Sequence, residues 1–533
     1  MKTIKKVGVL ELCNNSASGL SEQAIGYLER KQYVGVTPQA VDVWCRQLGY
    51  DTYYATYYGS GDPRDMLPRD LDLVFISTYS NAAPLACALS KAYRLVGTHT
   101  VCGGPHAKSY PRDALRYFDL VVLDCDRDLI ADVLRDRFAP QSIVSSPAPY
   151  AELPTIEERL PEIRASVFWQ GHPSAFSLLP TLASTGCPYA CNFCSEWNRP
   201  YRMFSLERVA EDLRFASLHL PGVKLMFYDP NFGVRFDEML RVFESVPAGR
   251  RSPFAMQTSL TNVRQPGRLQ RLHEAHCVGI GPGLESWTEN YQKVGRHSTT
   301  AYEKMNDAVE QMHALHECAE YIQVNFMFGL DSDLGDEPFE LTKEFLRRTP
   351  YLYPTLNIPV AFGGTPLYRD LLKEGRILKA MPFSFYWAPY LTLILKNYDA
   401  LAYYRHMADL YSLLVSGEME RRRLTANAPS WVKAVNAYRH FASSDLLAVF
   451  RKIVHRLETD RDFRLFHAGQ SQILPPDYVR VYKQRLGRYS ELMPVEDGRP
   501  MFEGDEGPAV SVPRLEPQRD GTPHGSEPAA ACV

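Results

Sequence analysis

The feature that most limits how this chain can fold is a repeated alternation of short apolar runs with amphipathic stretches. From Leu178 onward, apolar runs at 178–184, 224–228, 254–259, 278–282, 321–328 and 355–361 are separated by helical spacing at 206–216, 236–245, 268–274, 302–320 and 338–347. Strand-length runs joined by helices make parallel strands with crossover connections. Six such units in about 200 residues suggest a partial barrel rather than a closed eight-unit one. An earlier series has strand patterns at 7–13, 52–58, 73–78, 98–102 and 120–123, with helical patterns at 37–48, 84–95 and 111–118. It predicts a parallel sheet covered by helices on both faces.

The expected fold class is α/β. A Rossmann-like domain occupies 1–138, a Pro-, Ser- and Glu-rich surface linker 139–177, a partial (β/α)6 barrel 178–382, a mostly helical region 383–493 and a disordered tail 494–533. The helical region is expected to cover the barrel mouth and shape a substrate site, with Tyr386, Trp387 and Tyr390 either lining that site or packed in the core. Arg421-Arg422-Arg423 reads most simply as a solvated face. With 45% hydrophobic and 23% charged residues the chain is an ordinary globular composition. A formal charge of −3 excludes a whole-molecule electrostatic nucleic-acid binder. No apolar run reaches the ~18–20 residues of a membrane span. The run Val7–Leu12 is too short and too interrupted for a signal core. A cytoplasmic location is expected, with neither membrane nor nucleic acid as a partner.

In a reducing compartment the 11 cysteines are not a disulfide framework. Most are scattered in apolar surroundings, but Cys187, Cys191 and Cys194 lie together in Ser184-Thr185-Gly186-Cys187-Pro188-Tyr189-Ala190-Cys191-Asn192-Phe193-Cys194. That stretch follows the first strand of the second series, where barrel loops carry chemistry. Three close thiolates suit a soft metal or an iron–sulfur cluster. A structural zinc site needs a fourth ligand, which would have to come from a distance, for example from His172 or Cys277.

The Cys-x-x-x-Cys-x-aromatic-Cys spacing resembles the signature of the radical S-adenosylmethionine (radical SAM) superfamily. The resemblance implies a [4Fe–4S] cluster on Cys187, Cys191 and Cys194, with SAM chelated by the open iron and Phe193 near the adenine. It also implies that Asp229, in Phe227-Tyr228-Asp229-Pro230-Asn231-Phe232, accepts the methionine amino group. Glu285 and Ser286, in Gly281-Pro282-Gly283-Leu284-Glu285-Ser286, would lie near the SAM ribose and carboxylate. Gln257 and Ser259 end another strand and would face the pocket.

The amino-terminal region, ahead of such a core, resembles the cobalamin-binding domain of the B12-dependent branch of that superfamily. Its implied contacts are Ser77 and Thr78 after one strand, and Gly103, Gly104 and His106 after the next. No Asp-x-His-x-x-Gly follows the first strand; Leu12-Cys13-Asn14-Asn15-Ser16 stands there, so no lower axial His is expected from that loop. A Gly-Glu-Gly-Glu segment is replaced by Asp124-Cys125-Asp126-Arg127-Asp128.

The implied activity is transfer of a methyl group from methylcobalamin to an unactivated carbon through a 5′-deoxyadenosyl radical. The implied substrate is a small-molecule or peptide natural-product intermediate, and an external low-potential donor of the flavodoxin or ferredoxin type supplies electrons. A non-methylating rearrangement, ring contraction or cyclisation with the same cofactors is the alternative enzyme reading. A non-catalytic iron–sulfur or cobalamin sensor is the reading of another class.

Overall fold

The computed structural model describes residues 4–17, 23, 26, 31–174, 176–288 and 300–502. The first of two parallel sheets contains β1 (Lys6–Leu12), β2 (Asp51–Tyr57), β3 (Leu73–Thr78), β4 (His99–Gly103), β5 (Leu120–Val122) and β6 (Ser142–Val144). Its order is β2-β1-β3-β4-β5-β6. β1 is buried at every position from Val7 to Leu12, as a central strand with helices on both faces must be. The order turns back between β1 and β3, so the crevice beyond Leu12 and Thr78 is where an open parallel sheet takes a ligand.

The second sheet curls into a half-barrel. Its strands are β7 (Leu178–Thr181), β10 (Lys224–Phe227), β11 (Phe254–Thr258), β12 (Cys277–Glu285), β13 (Tyr321–Ile322), β14 (Asn325–Met327) and β15 (Thr355–Asn357). β8 (Ser184–Thr185) and β9 (Arg202–Met203) form a separate antiparallel pair. Each half-barrel strand lies beside its sequence predecessor, in the order β7-β10-β11-β12-β14-β15, and β13 also pairs with β12. The run expected at 321–328 is thus one strand position broken into two pieces. Alternate residues face the concave side and are less buried there: Met226, Gln257, Gly281, Gly283, Glu285, Asn325 and Asn357. Glycine on β12 and amides on its neighbours leave a shallow polar trough instead of a filled barrel core.

Four stretches differ from the expectations above. Residues 139–177 are not a surface linker throughout: they contribute β6 and the helix Leu160–Ser166. Ile156, Ile163, Val167 and Phe168 are buried there. The wholly buried Arg159 donates to Gln39 Oε1 at 2.7 Å and to Pro180 O at 3.2 Å, joining the two sheets' layers. The long helix Ser430–Thr459 lies at the strand starts, not over the mouth. Its Arg439 donates to Tyr321 Oη, Gln323 Oε1, Pro354 O and Thr355 Oγ1 at 2.6–3.0 Å. Lys224, the first residue of β10, sits over its Trp431 ring. Residues 494–502 pack on the first layer, where Lys91 pairs with Asp497 at 2.8 Å and Tyr117 Oη donates to Asp497 O; the rest of the expected tail lies outside the described residues. Arg423 is buried over the Tyr353 ring, not solvated. Among the described residues no helix is long and apolar enough to cross a membrane.

Glu11 is the one carboxyl inside β1. It accepts the Gly35 N–H at 2.6 Å, ahead of the helix Val36–Gln47, and the Tyr54 and Thr56 hydroxyls at 3.0 and 3.4 Å. Burial pushes its pKa up from 4.5 to about 7 against these bonds. A raised folded-state pKa means that its contribution is present below pH ~4.5 and is lost as pH rises through ~7. Glu11→Gln is therefore expected to match the parent's unfolding free energy in urea titrations at pH 4 and to exceed it at pH 8 by ~1–3 kcal/mol. A difference independent of pH would contradict this.

Candidate active site between two sheet mouths

The cysteine loop leaves β7 and is closed at its base by β8 and β9, where Ser184 pairs with Met203 and Thr185 with Arg202. Gly186 opens the loop at φ +72°, and a Cβ there would lie 2.3 Å from Pro200 O. Only glycine allows that crossing of the two loop arms. The Cys187 N–H donates to Arg199 O at 3.2 Å. Within the loop, Cys194 N–H donates to Cys191 O and Trp197 N–H to Cys194 O, while Cys194 Sγ accepts the Glu196 N–H at 3.4 Å. Cys191 is buried and Cys187 and Cys194 are half-buried; none is in a disulfide.

Neighbouring loops hold this one from several sides. Asp229, at the end of β10, is 1% exposed and accepts the Ser184 hydroxyl at 2.5 Å and the Ala183 N–H at 3.1 Å. Burial raises its pKa to about 6. Its carboxyl thus grips the loop's base. Tyr189 Oη meets Thr261 Oγ1 at 2.6 Å and Ser259 Oγ at 3.4 Å, tying the loop to the end of β11. Trp197 Nε1 donates to Gly364 O at 2.7 Å, and Leu367 N–H to Asn192 O at 3.0 Å. Phe193 is half-buried within the loop, and Gln257 is exposed on the concave face.

Glu285 ends β12 at φ +62°, beside a break in register with β14. Ser286 is buried, with its hydroxyl 2.9 Å from Thr288 Oγ1 and 3.4 Å from Asp333 Oδ1. Two supports escaped the sequence reading. Lys304, wholly buried, donates to Leu284 O and Ser286 O and so fixes the Glu285 turn. Asn231 Oδ1 accepts the Ser259 N–H at 3.0 Å and joins the ends of β10 and β11. Lys304 stands at an apolar position of the helix Ala301–Cys318, a signal only in retrospect.

The donor set fits a cluster with an open iron better than a closed zinc site. Cys277 begins β12, at the barrel end away from the cysteine loop, with its thiol buried and pushed up to about 12. His172 precedes β7, again at the strand-start end. Neither can complete a tetrahedron. Among the described residues no three or more Cys, His, Asp or Glu side chains converge on a single ion. Three thiols within eight residues of one loop suit three corners of a larger cluster.

The first sheet presents its own mouth to this loop. Gly104 (φ +88°) brings its backbone against Ser77 and Thr78, with a virtual Cβ 2.7 Å from Ser77 Oγ and 2.8 Å from Thr78 N. A Cβ on Gly103 would touch only Val122 O, at 4.0 Å. These four residues form one ledge at the ends of β3 and β4, with Ser77, Gly103 and Gly104 half-buried and Thr78 buried. His106 is not open to it: it is 1% exposed, packed on Phe383 at 4.7 Å and within 3.4 Å of Ser80 Oγ, and burial lowers its pKa to about 3. The loop after β1 supplies Cys13, Asn14 and Asn15 and no imidazole.

The two mouths are joined by contacts from strand-end residues. Tyr228, after β10, donates to Gln32 O of the first layer, where Tyr79, after β3, holds the adjoining Tyr33 O. Tyr110 Oη donates to Ala361 O. Arg199 pairs with Asp124 at 2.6 Å. Of the three aromatics past the last strand, Tyr386 and Tyr390 are core, whereas Trp387 is 39% exposed with its ring edge-on to Tyr33 at 6.2 Å.

Comparison with known proteins agrees with this geometry. Residues 181–346 match the Radical SAM superfamily. The chain is 22% identical over 395 residues to bacteriochlorophyllide d C-12(1)-methyltransferase of Chlorobaculum tepidum, covering 69% of this chain and 84% of that protein. It is 22% identical over 338 residues to bacteriochlorophyllide d C-8(2)-methyltransferase of the same organism, covering 58% and 70%. Its fold resembles the cobalamin-dependent SAM radical enzyme OxsB with aqua-cobalamin bound (TM-score 0.54, 13% identity, 92% of this chain and 80% of that one). It also resembles the radical SAM methyltransferase TsrM from Kitasatospora setae, solved with tryptophan and aza-SAM (TM-score 0.54, 13% identity, 84% and 99%). The cysteine loop and most of the half-barrel thus lie in a segment, 181–346, that matches the Radical SAM superfamily, and the chain as a whole shares its fold with OxsB and TsrM.

Proposed function

We propose that this protein is a cobalamin-dependent radical SAM methyltransferase acting at carbon. The observation that carries the reading is the meeting of two parallel-sheet mouths, one bearing the three-cysteine loop and the other the Gly103–Gly104 ledge. A cluster with SAM on its open iron supplies a carbon radical able to take hydrogen from an unactivated C–H bond, and a corrinoid supplies the methyl group. Cys187, Cys191 and Cys194 hold the cluster. Gln257, Ser259, Glu285 and Ser286 line or brace the trough in which SAM lies, with Phe193 beside it, and Asp229 fixes the loop. Ser77, Thr78, Gly103 and Gly104 carry the corrin, and His106 props the ledge as a neutral imidazole. An external low-potential donor delivers electrons.

The chain's own work is to orient the two groups and keep water from the space between them. Trp387, Tyr33 and Tyr79 give that space an aromatic wall suited to an apolar substrate. The methyltransferase relatives are named for the bacteriochlorophyllide d they act on, which makes a tetrapyrrole the first substrate to try.

Anaerobic reconstitution with iron, sulfide and cobalamin, followed by incubation with SAM and a reductant, is expected to yield 5′-deoxyadenosine and a product one CH₂ unit heavier. Deoxyadenosine with a product of unchanged carbon count would replace methylation by rearrangement; no deoxyadenosine would leave a sensor. Replacing any one of Cys187, Cys191 or Cys194 by Ala is expected to abolish SAM cleavage and cut bound iron by at least half, with an unchanged far-ultraviolet circular dichroism spectrum. Gly186→Ala is expected to lower iron loading several-fold. Gly222→Ala, at a similar φ of +77° but with open space around it, is expected to load like the parent. Equal loading of the two glycine variants would contradict the packed-loop account.

A further inference from the structure

We infer that Asp124 is a positioning residue that holds the cysteine loop and the corrin ledge in fixed register. This rests on the two-cofactor reading above. Asp124 follows β5 and opens the segment that stands in place of Gly-Glu-Gly-Glu. Its two oxygens are assigned to different parts of the molecule. Oδ1 lies 2.5 Å from Lys108 Nζ and Oδ2 lies 2.6 Å from Arg199 Nη2. Lys108 sits on the helix Gly104–Ser109, which begins at the ledge itself. Arg199 belongs to the cysteine loop, and its carbonyl accepts the Cys187 N–H.

A short rigid path therefore runs from Gly104 through Lys108, Asp124 and Arg199 to Cys187. The carboxylate's side chain is 14% exposed. Burial raises its pKa, but the charges of Lys108 and Arg199 outweigh that and leave it below the ordinary value. The surrounding groups are few: Glu196 reaches Arg199 only at 3.9 Å, and Tyr150 Oη is 3.3 Å from Lys108 Nζ. One oxygen of this mostly buried carboxylate accepts the Arg199 hydrogen bond and the other makes a close ion contact with Lys108, an arrangement poorly replaced by water. The rest of the segment has local duties: Asp126 caps the following helix at Leu129 N–H, and Arg127 faces Glu152 at 3.7 Å.

Two measurements test this with Asp124→Asn, Arg199→Gln and the conservative Arg199→Lys. Hydrogen exchange of the full chain as purified comes first. Asp124→Asn is expected to speed amide exchange several-fold in both 104–109 and 186–200, although these segments lie in different layers. Acceleration confined to 120–130 would overturn the proposal. The second measurement uses protein loaded with iron–sulfur cluster and hydroxocobalamin, with titanium(III) citrate as reductant and SAM as methyl donor, and needs no substrate. In that assay a corrinoid reduced by titanium(III) would take the SAM sulfonium methyl and leave S-adenosylhomocysteine. Asp124→Asn and Arg199→Gln are expected to slow S-adenosylhomocysteine formation at least tenfold while 5′-deoxyadenosine formation changes less than twofold, with Arg199→Lys restoring most of the rate. A parallel fall in both products would mean a structural role only. If the parent forms neither product, the function is misread, and the exchange result still judges the clamp.

Discussion

Parallel strands deliver every connecting loop of one kind to the same edge of a sheet, and this protein sets two such edges against each other. That constraint places its chemistry. β1, β3, β4 and β5 end on one side of the gap, and β7, β10, β11 and β12 on the other. Residues far apart in sequence then meet: Tyr228 with Gln32, Tyr110 with Ala361, Arg199 with Asp124. A ligand held on each edge would face the other across a space walled by protein.

Inside this frame most buried polar groups support backbone. Asp229 grips Ala183 and Ser184, Asn231 joins two strand ends, and Lys304 holds the carbonyls flanking Glu285. Burial moves several of these groups toward their neutral forms, as with His106 and Asp229. A neutral imidazole costs less to bury than an ion, and the Ala183 and Ser184 hydrogen bonds offset part of the cost of burying the Asp229 carboxylate. Charges survive where they are paired, as at Asp124. The site is therefore built of loops that are individually short but mutually braced.

The strands and helices of the half-barrel were legible because apolar runs of β length and helical spacing alternate without ambiguity over 178–361. The cysteine loop announced itself by spacing. Other features rest on contacts that no local pattern carries. Residues 139–177 look polar, yet Ile156, Ile163 and the buried Arg159 pack between layers. The helix Ser430–Thr459 has apolar residues on one side, but only Arg439's bonds to Tyr321, Gln323 and Thr355 reveal that it closes the strand starts. His106 was visible as a strand-end residue; its packing against Phe383, 277 positions away by number, was not. Gly186 precedes the cysteines with nothing local to require it, and its need comes from Pro200 on the returning arm.

The central claim is that three cysteines hold a cluster with one iron left open toward the trough. Electron paramagnetic resonance of the anaerobically reconstituted, dithionite-reduced protein tests it most directly. A four-iron signal whose g-values shift when SAM is added is the predicted result. Zinc in place of iron, or a four-iron signal indifferent to SAM, would contradict the account.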